Sequence, residues 1–476
     1  MIERWSRDQV LALAPDAPSR KAAQGVAAAG KWSSRGTTGS VLYGECEGSG
    51  SKPYLACVDL TEPAYRCSCP SRKFPCKHAL GLLLLWSADG VPAEEAAPQW
   101  VTEWLDGRAE RAARSAARVE TARDDAAATG SGTGTVTGAG TGAGTGAGTG
   151  AGTGAGTGAG TGAGAAGAAG AGKAESVRQA RVGAGLAELE RWLADQIRQG
   201  LASSAEHDWD GLAKRLIDAQ APGVAGLVSR LTQVRADDDW PGRLLEEYAL
   251  INLLAVAYRR RAELPAPLAE TVRIRTGFPV TREEVLAGPV VRDHWHVLSS
   301  RDDEHDRLTA RRVWLKGRAT GRAALILSFA PPGQTLDASL VTGTTIDADL
   351  AFYPGAAPLR ALVATRHPTD PLPGGGAMSA GVPAGVPAGV PAGEALEEVA
   401  RVLADDPWTE SWPVVLAGVV PGRTAVGGLP LHPRARDPWR LIAVSGGRPV
   451  TLAAEWTPQG LRPLTTYDDE GTAVLL

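Results

Sequence analysis

The chain has no continuous run of about 18 or more apolar residues, the length that a helix needs to cross a bilayer. Its first residues, MIERWSRDQVLALAPD, mix acids and bases, which is typical of neither a secretory signal nor an Arg/Ser-rich transit peptide. We therefore expect a cytoplasmic protein without a membrane segment. The formal net charge is −4, which argues against polyanion binding by the whole molecule and leaves room only for a local basic patch.

Cysteine is scarce and unevenly placed. There are five in 476 residues, and all of them fall between positions 46 and 76. In the cytosol cysteines are kept as thiols, and a disulfide scaffold does not suit a chain of this length. The clustering therefore indicates a metal site.

The segment YRCSCPSRKFPCKH carries the candidate ligands. Cys67 and Cys69 are two residues apart, which on an extended chain turns both sulfur atoms to one side. Six residues with a proline at each end then reverse the chain, and Cys76 and His78 supply the second pair. Three thiolates and one imidazole complete the tetrahedral set of a structural Zn²⁺. We expect one structural zinc and, because no position is left for water, no hydrolytic zinc chemistry.

The surroundings of these ligands are basic. A Zn²⁺ ion with three thiolates and a neutral imidazole carries one net negative charge, and nearby cations favour thiolate over thiol. Cys46 and Cys57 lie in strand-like segments and are expected to be small buried residues. The candidate nucleic-acid or partner-binding residues are Lys31, Arg35, Arg66, Arg72, Lys73 and Lys77.

The spacing C-x-C-x6-C-x-H resembles the SWIM zinc finger. The flanks agree, since SVLYGECEGSGSKPYLACVDL predicts a hairpin and HALGLLLLW a helix, giving a ββα unit over roughly 30–90. SWIM domains occur in chromatin-remodelling ATPases, in transposases and in stand-alone bacterial proteins, and they are inferred to bind DNA or proteins. The wording CSCPSRKFPCKH is most similar to the bacterial type. That resemblance implies neighbouring genes for MoxR-type ATPases and von Willebrand A domain proteins.

Two low-complexity stretches divide the rest of the chain. A Gly-Thr-Gly-Ala repeat runs to about Lys173; its small side chains bury too little area to offset ordering, which predicts a flexible tether. A Val-Pro-Ala-Gly repeat at 381–393 predicts a stiffer, extended loop. Apolar residues recur at helical spacing over 176–262, and from about Val290 the period falls towards two.

These patterns predict an α+β multidomain chain. We expect a zinc finger domain at 1–105, a polar helix and linker at 106–175, and a helical then β-rich region at 176–476.

Other motifs are incomplete. GVAAAGKW at 25–32 and GAAGAGKA at 167–174 lack the Ser or Thr that a P-loop places on Mg²⁺, so no nucleotide cofactor is expected. His294 and His296 in DHWHVLSS form a His-x-His pair without a third partner at a fixed spacing, which is a weak metal motif.

Three functions remain open. An interaction module or adaptor for proteins fits the acidic body without enzyme motifs, with a MoxR/von Willebrand A type system as the implied partner. DNA binding through the basic residues around the zinc site is the alternative. An enzyme in the C-terminal region is the third, although no catalytic set can be named.

Overall fold

The computed structural model describes residues 4–48, 52–61, 64–71, 73, 75–110, 163–203, 206–235, 239–305, 308–331, 336–367, 385–435, 438–468 and 471–476. They form two compact units. One, the finger–barrel unit, comprises the described residues of 4–110, 282–353 and 357–476. The other, the bundle unit, comprises those of 163–281 and 354–356. Arg72 and residues 111–162 of the polar helix and linker predicted at 106–175 lie outside the described residues, so the predicted domain boundaries stay predictions. The end of the predicted tether, from Ala163 to Lys173, is helical and not a flexible coil, because the first helix of the bundle begins there.

The finger region opens the chain with helices and one antiparallel sheet. The sheet has the order β1-β2-β3-β4, and β2 and β3 are the predicted hairpin. Ser6 caps the first helix and forms a capping box with Gln9. The elements are α1 Arg7–Ala12, α2 Ala17–Val26, β1 Trp32–Thr37, β2 Val41–Cys46, β3 Tyr54–Asp59, β4 Ala64–Cys67, α3 Lys77–Ser87 and α4 over 99–110.

Helix α3 has apolar residues around its whole circumference, as expected for a helix that other elements surround. Residues 78–86 are all buried, and the helix packs against α1, α2 and β3. Gly81 permits the close approach of α2, since a β-carbon there would lie 2.6 Å from Val26 Cγ2. Helix α4 packs on the opposite face of the sheet, where Val101 joins Val41 and Cys57.

The bundle unit confirms the predicted helical segment. Its core contains Leu186 and Leu189 of the long first helix, and Trp209, whose Nε1 donates to Tyr248 Oη at 3.0 Å. The helices are α5 Ala163–Gln199, α6 Glu206–Asp218, α7 Pro222–Val234, α8 Trp240–Arg259 and α9 Ala266–Thr276.

The β-rich region begins after the short helix α10 (Arg282–Ala287) with a closed five-stranded barrel in the order β5-β6-β7-β9-β8. The first strand pairs with both β6 and β8 and so closes the barrel. Alternate side chains such as Trp295, Val313 and Leu350 fill the interior. The strands are β5 Val290–His305, β6 Leu308–Gly317, β7 Ala323–Ala330, β8 Thr345–Phe352 and β9 Arg360–Arg366.

A second sheet, in the order β10-β13-β14-β15, covers part of the barrel. Trp314 and Leu325 on the outside of β6 and β7 pack against Val415, Ala453 and Leu464. The elements are α11 Ala392–Asp405, β10 Trp412–Val419, β11 Ala425–Val426, β12 Leu429–Pro430, α12 Pro438–Ser445, β13 Val450–Thr457, β14 Gly460–Tyr467 and β15 Ala473–Leu475. The predicted α+β class, with a zinc module, a helical segment and then a β-rich region, is confirmed.

A buried carboxylate joins the barrel to this second sheet. The Glu455 side chain is 2% exposed and pairs with Arg301 of β5 at 3.0 Å and Arg462 of β14 at 3.4 Å. Arg301 also pairs with Asp303 at 3.1 Å. The two layers therefore share a network of charges as well as apolar contacts.

The finger region and the barrel share a boundary within their unit. Gln9 Nε2 donates to the carbonyl of Thr342 at 2.9 Å, and Val341, from the β7–β8 connection, packs in the core of the finger. Asp8 pairs with Arg440 of α12 at 2.8 Å. Among the helices in the described part of the chain, none is both long and apolar enough to span a bilayer.

Candidate metal centre

Two elements present the four predicted ligands. Cys67 is the last residue of β4, where it pairs with Ala56 of β3, and Cys69 follows two residues later. Cys76 is the N-cap of α3 and has extended backbone, so that His78 lies in the first turn of this helix. A strand end and a helix start therefore bring the two pairs together.

The geometry fits a tetrahedral zinc site. The ligand atoms of Cys67, Cys69, Cys76 and His78 all lie within 4.8 Å of one another, and Cys67 Sγ is 3.7 Å from His78 Nδ1. Ideal bond lengths around zinc put a sulfur and a nitrogen ligand about 3.5 Å apart. In the described part of the chain this is the one group of three or more Cys, His, Asp or Glu placed to hold a metal. Cys76 and His78 are buried, as expected for a closed structural site.

The pKa values of the three cysteine ligands show why a cation would stabilise this site. A hydrogen bond from the Cys67 thiol lowers the pKa of Cys76, and the Cys76 thiolate in turn raises the pKa of Cys67. Burial raises the pKa of Cys69. One thiolate is thus favoured and the other two are disfavoured without a metal, whereas a divalent cation stabilises all three as thiolates.

Ring stacking orients the imidazole of His78, and the other two cysteines are buried away from solvent. The ring of His78 stacks on Tyr54 of β3 with centroids 4.7 Å apart. Cys46 and Cys57 are fully buried, as predicted. Burial raises the pKa of Cys57 to about 12, which keeps it a thiol at neutral pH.

Two of the predicted partner-binding cations are already engaged inside the protein. Arg35 donates to the backbone carbonyls of Gly90 at 2.8 Å and Ala29 at 3.1 Å. Lys73 pairs with Asp16 and lowers the pKa of this carboxyl to about 2. Both side chains therefore form contacts within the finger region and help to stabilise its fold.

Three other cations of that set are exposed at the finger surface. Lys31 ends the short 3₁₀ turn before β1, Arg66 lies on β4, and Lys77 begins α3. None of the three forms an ion pair within the described residues.

The His-x-His pair forms no metal group within the described residues. His296 is buried and its Nδ1 lies 2.9 Å from Thr345 Oγ1. Burial would raise the pKa of the adjacent Asp293, but hydrogen bonds from Thr320, Ala319 and His294 outweigh it and hold that pKa below its usual value. These residues close a turn and brace the barrel.

His296 is expected to make the protein less stable in acid. Burial lowers its pKa to about 4, so the unfolded chain, with a pKa near 6.5, binds its proton first as the pH falls. Stability is then lost between about pH 6.5 and 4, up to about 3 kcal/mol. The measurement is the difference in unfolding free energy between the wild type and His296→Asn across this range. That difference should change with pH in favour of the variant in acid, and a constant difference would contradict the assignment.

Comparison with known families identifies two segments of the chain. Residues 57–86 match the SWIM zinc finger, and residues 177–276 match the SWIM-associated four-helix bundle domain. No curated protein and no solved structure matches the chain. The SWIM zinc finger predicted from the ligand spacing is confirmed, and with it one structural Zn²⁺ as the cofactor.

Proposed function

We propose that this chain, which carries a SWIM zinc finger and its associated helical bundle, is an interaction module for proteins. The metal in it has a structural role, because four protein ligands leave no position for a substrate. The zinc keeps the finger region folded, and the recognition surfaces lie on the finger and on the bundle.

An exposed apolar stripe on α8 carries the proposal. Leu245 is 49% exposed and Leu253 is 43% exposed, and they are eight residues apart on this helix. Ala249, one turn from each, is also exposed. Positions i, i+4 and i+8 lie on one helical face, so the three side chains offer a partner a continuous apolar strip.

The charge distribution also favours a protein partner over a nucleic acid. The whole chain has a formal charge of −4, and Arg35 and Lys73 are committed to contacts within the finger. Nucleic-acid binding draws much of its affinity from free cations on phosphates. The partner implied by the resemblance, a MoxR-type ATPase with a von Willebrand A domain protein, is the first to be tested.

The double substitution Leu245→Glu with Leu253→Glu is expected to abolish capture of such a partner. Both side chains are exposed, so the unfolding free energy should change by less than about 0.5 kcal/mol per site. The measurement is retention of the purified ATPase and von Willebrand A proteins from the same genome on the immobilised full chain. Leu396→Glu on α11, where Leu396 is 39% exposed, is the matched control and should retain the partner. Equal retention by the wild type and the double variant would place the contact elsewhere.

DNA binding is the second candidate, because Lys31, Arg66 and Lys77 remain exposed around the zinc site. Three phosphate contacts predict that log K falls by about 2.7 per unit of log[salt] on B-DNA. Duplex binding at low salt with this slope, weakened by Lys31→Ala and Lys77→Ala, would favour DNA over a protein partner. No binding at low salt would exclude it.

A further inference from the structure

A cavity opens where two barrel strands separate. The parallel pairing of β7 with β9 comprises only Leu325 with Arg360 and Ile326 with Ala361. Beyond these pairs the two strands form the walls of a cavity of about 370 Å³. This volume lies within the range of small-molecule sites in proteins. The zinc finger contributes to the same cavity through Ala64 of β4.

Three arginines from three separate elements line this cavity. Arg108 comes from α4, Arg282 begins α10 and Arg366 ends β9. The lining contains one carboxylate, that of Asp337. Arg108 is also paired with Asp59. The lining therefore brings three guanidinium groups and one carboxylate together next to a partly apolar wall.

Two of these guanidinium groups are held in place by the protein. Arg366 donates to Ser339 Oγ at 2.5 Å and approaches the carbonyl of the same residue at 3.4 Å. Arg108 is held by its ion pair and lies 5.4 Å from the ring of Trp104. Such fixed groups lose little entropy when they bind a ligand. Arg282 is exposed and forms no ion pair with any residue that the structure describes.

The chemistry of the lining selects the ligand. One guanidinium suffices for a planar carboxylate, whereas three that approach from different elements suit a tetrahedral oxyanion with several oxygen atoms. The hydroxyl groups of Ser328 and Ser339 add neutral donors. Ile326, Leu340 and Val363 line the cavity as well, and they suit an apolar group attached to that oxyanion. We propose that this cavity binds a small phosphate monoester with an apolar or aromatic substituent.

The barrel itself argues against a nucleic-acid strand as the occupant. Its closed five-stranded order is that of Greek-key barrels which bind oligonucleotides across the outer face of their second and third strands. Here those strands are β6 and β7, and the second sheet covers Trp314 and Leu325 on that face. A small molecule can bind in the cavity without displacing the second sheet from this face.

The test is calorimetric titration of the full chain with phenyl phosphate, inorganic phosphate and benzoate at matched ionic strength. Phenyl phosphate should bind more tightly than inorganic phosphate, and benzoate more weakly than phenyl phosphate. Arg282→Ala should weaken phenyl phosphate at least about tenfold, because a charge-assisted contact is removed without disturbing an internal ion pair. Arg401→Ala, an exposed arginine on α11 away from the cavity, should bind as the wild type does.

Three results would overturn the proposal. The first is no heat from either phosphate compound at millimolar concentration. The second is equal binding by the Arg282→Ala and Arg401→Ala variants, which would remove the ligand from this cavity. The third is benzoate bound as tightly as phenyl phosphate, which would exclude the phosphate class. None of these results bears on capture of a protein partner through α8, so the two proposals fail separately.

Discussion

Replacing His78 with alanine is expected to release the zinc and unfold the finger region. The imidazole lies 3.7 Å from Cys67 Sγ, and without it the chain supplies only three of the four protein ligands that a structural site needs. Structural zinc in small fingers contributes on the order of 10 kcal/mol of apparent binding free energy. This is comparable with the whole stability of a domain, about 5–15 kcal/mol. Metal content should fall from one zinc per chain to nearly none. Trp5, Trp32 and Trp86, buried in the finger core, should become solvated, which shifts the tryptophan emission of the whole chain to longer wavelength.

The matched control is Cys57→Ala. Cys57 is fully buried on β3, one residue beyond Ala56, the strand partner of the ligand Cys67, but it is not one of the four clustered residues. This variant leaves a small cavity, yet it should keep one zinc per chain. A full complement of zinc in the His78→Ala variant, or its loss from the Cys57→Ala variant, would contradict the ligand assignment.

Replacing Glu455 with alanine is expected to cost about 3–5 kcal/mol of stability. The Glu455 side chain is 2% exposed and is the shared partner of Arg301 and Arg462. Without Glu455, Arg462 loses its carboxylate partner and Arg301 keeps only Asp303, and the loss of a buried carboxylate that two guanidinium groups share dominates the effect. Chemical denaturation of the full chain measures the change, with the bundle and the finger–barrel unit followed by separate probes.

Glu188→Ala is the exposed counterpart of that substitution. Glu188 pairs with Arg215 at 2.6 Å, and the two side chains are 45% and 49% exposed. Exposed pairs contribute less than about 1 kcal/mol, so this variant should unfold almost as the wild type does. Similar losses from the two substitutions would show that Glu455 is not in the buried network described above.

The metal site could be predicted because its information is local. All four ligands fall within twelve residues, and their spacing, the two prolines and the following apolar run fix a strand end, a turn and a helix start. The helical segment could be predicted for the same reason, because the 3.6-residue period of an α-helix relates residues that are close in the sequence. The partner-binding set was harder, because a side chain such as Arg35 bonds to Gly90. The sequence identifies Arg35 as a positive charge, but it does not show that this side chain is already hydrogen-bonded within the protein.

The barrel and its cavity depend on contacts between distant residues. A strand pattern predicts β structure but not which strands pair, and here β9 inserts between β7 and β8. The cavity adds Arg108 from α4 to Arg282 and Arg366, and no spacing rule relates them. In the same way Arg301 and Glu455 are separated by 154 positions. Such groups become visible only once the chain is folded.

X-ray absorption at the zinc edge of the purified full chain tests the four-ligand zinc site most directly. We expect one zinc per chain, with three sulfur ligands at about 2.3 Å and one nitrogen ligand at about 2.0 Å. Cys69→Ser should remove the metal or replace one sulfur by oxygen. A wild-type spectrum with fewer than three sulfur ligands, or with more than one nitrogen or oxygen ligand, would contradict a closed structural site built by Cys67, Cys69, Cys76 and His78.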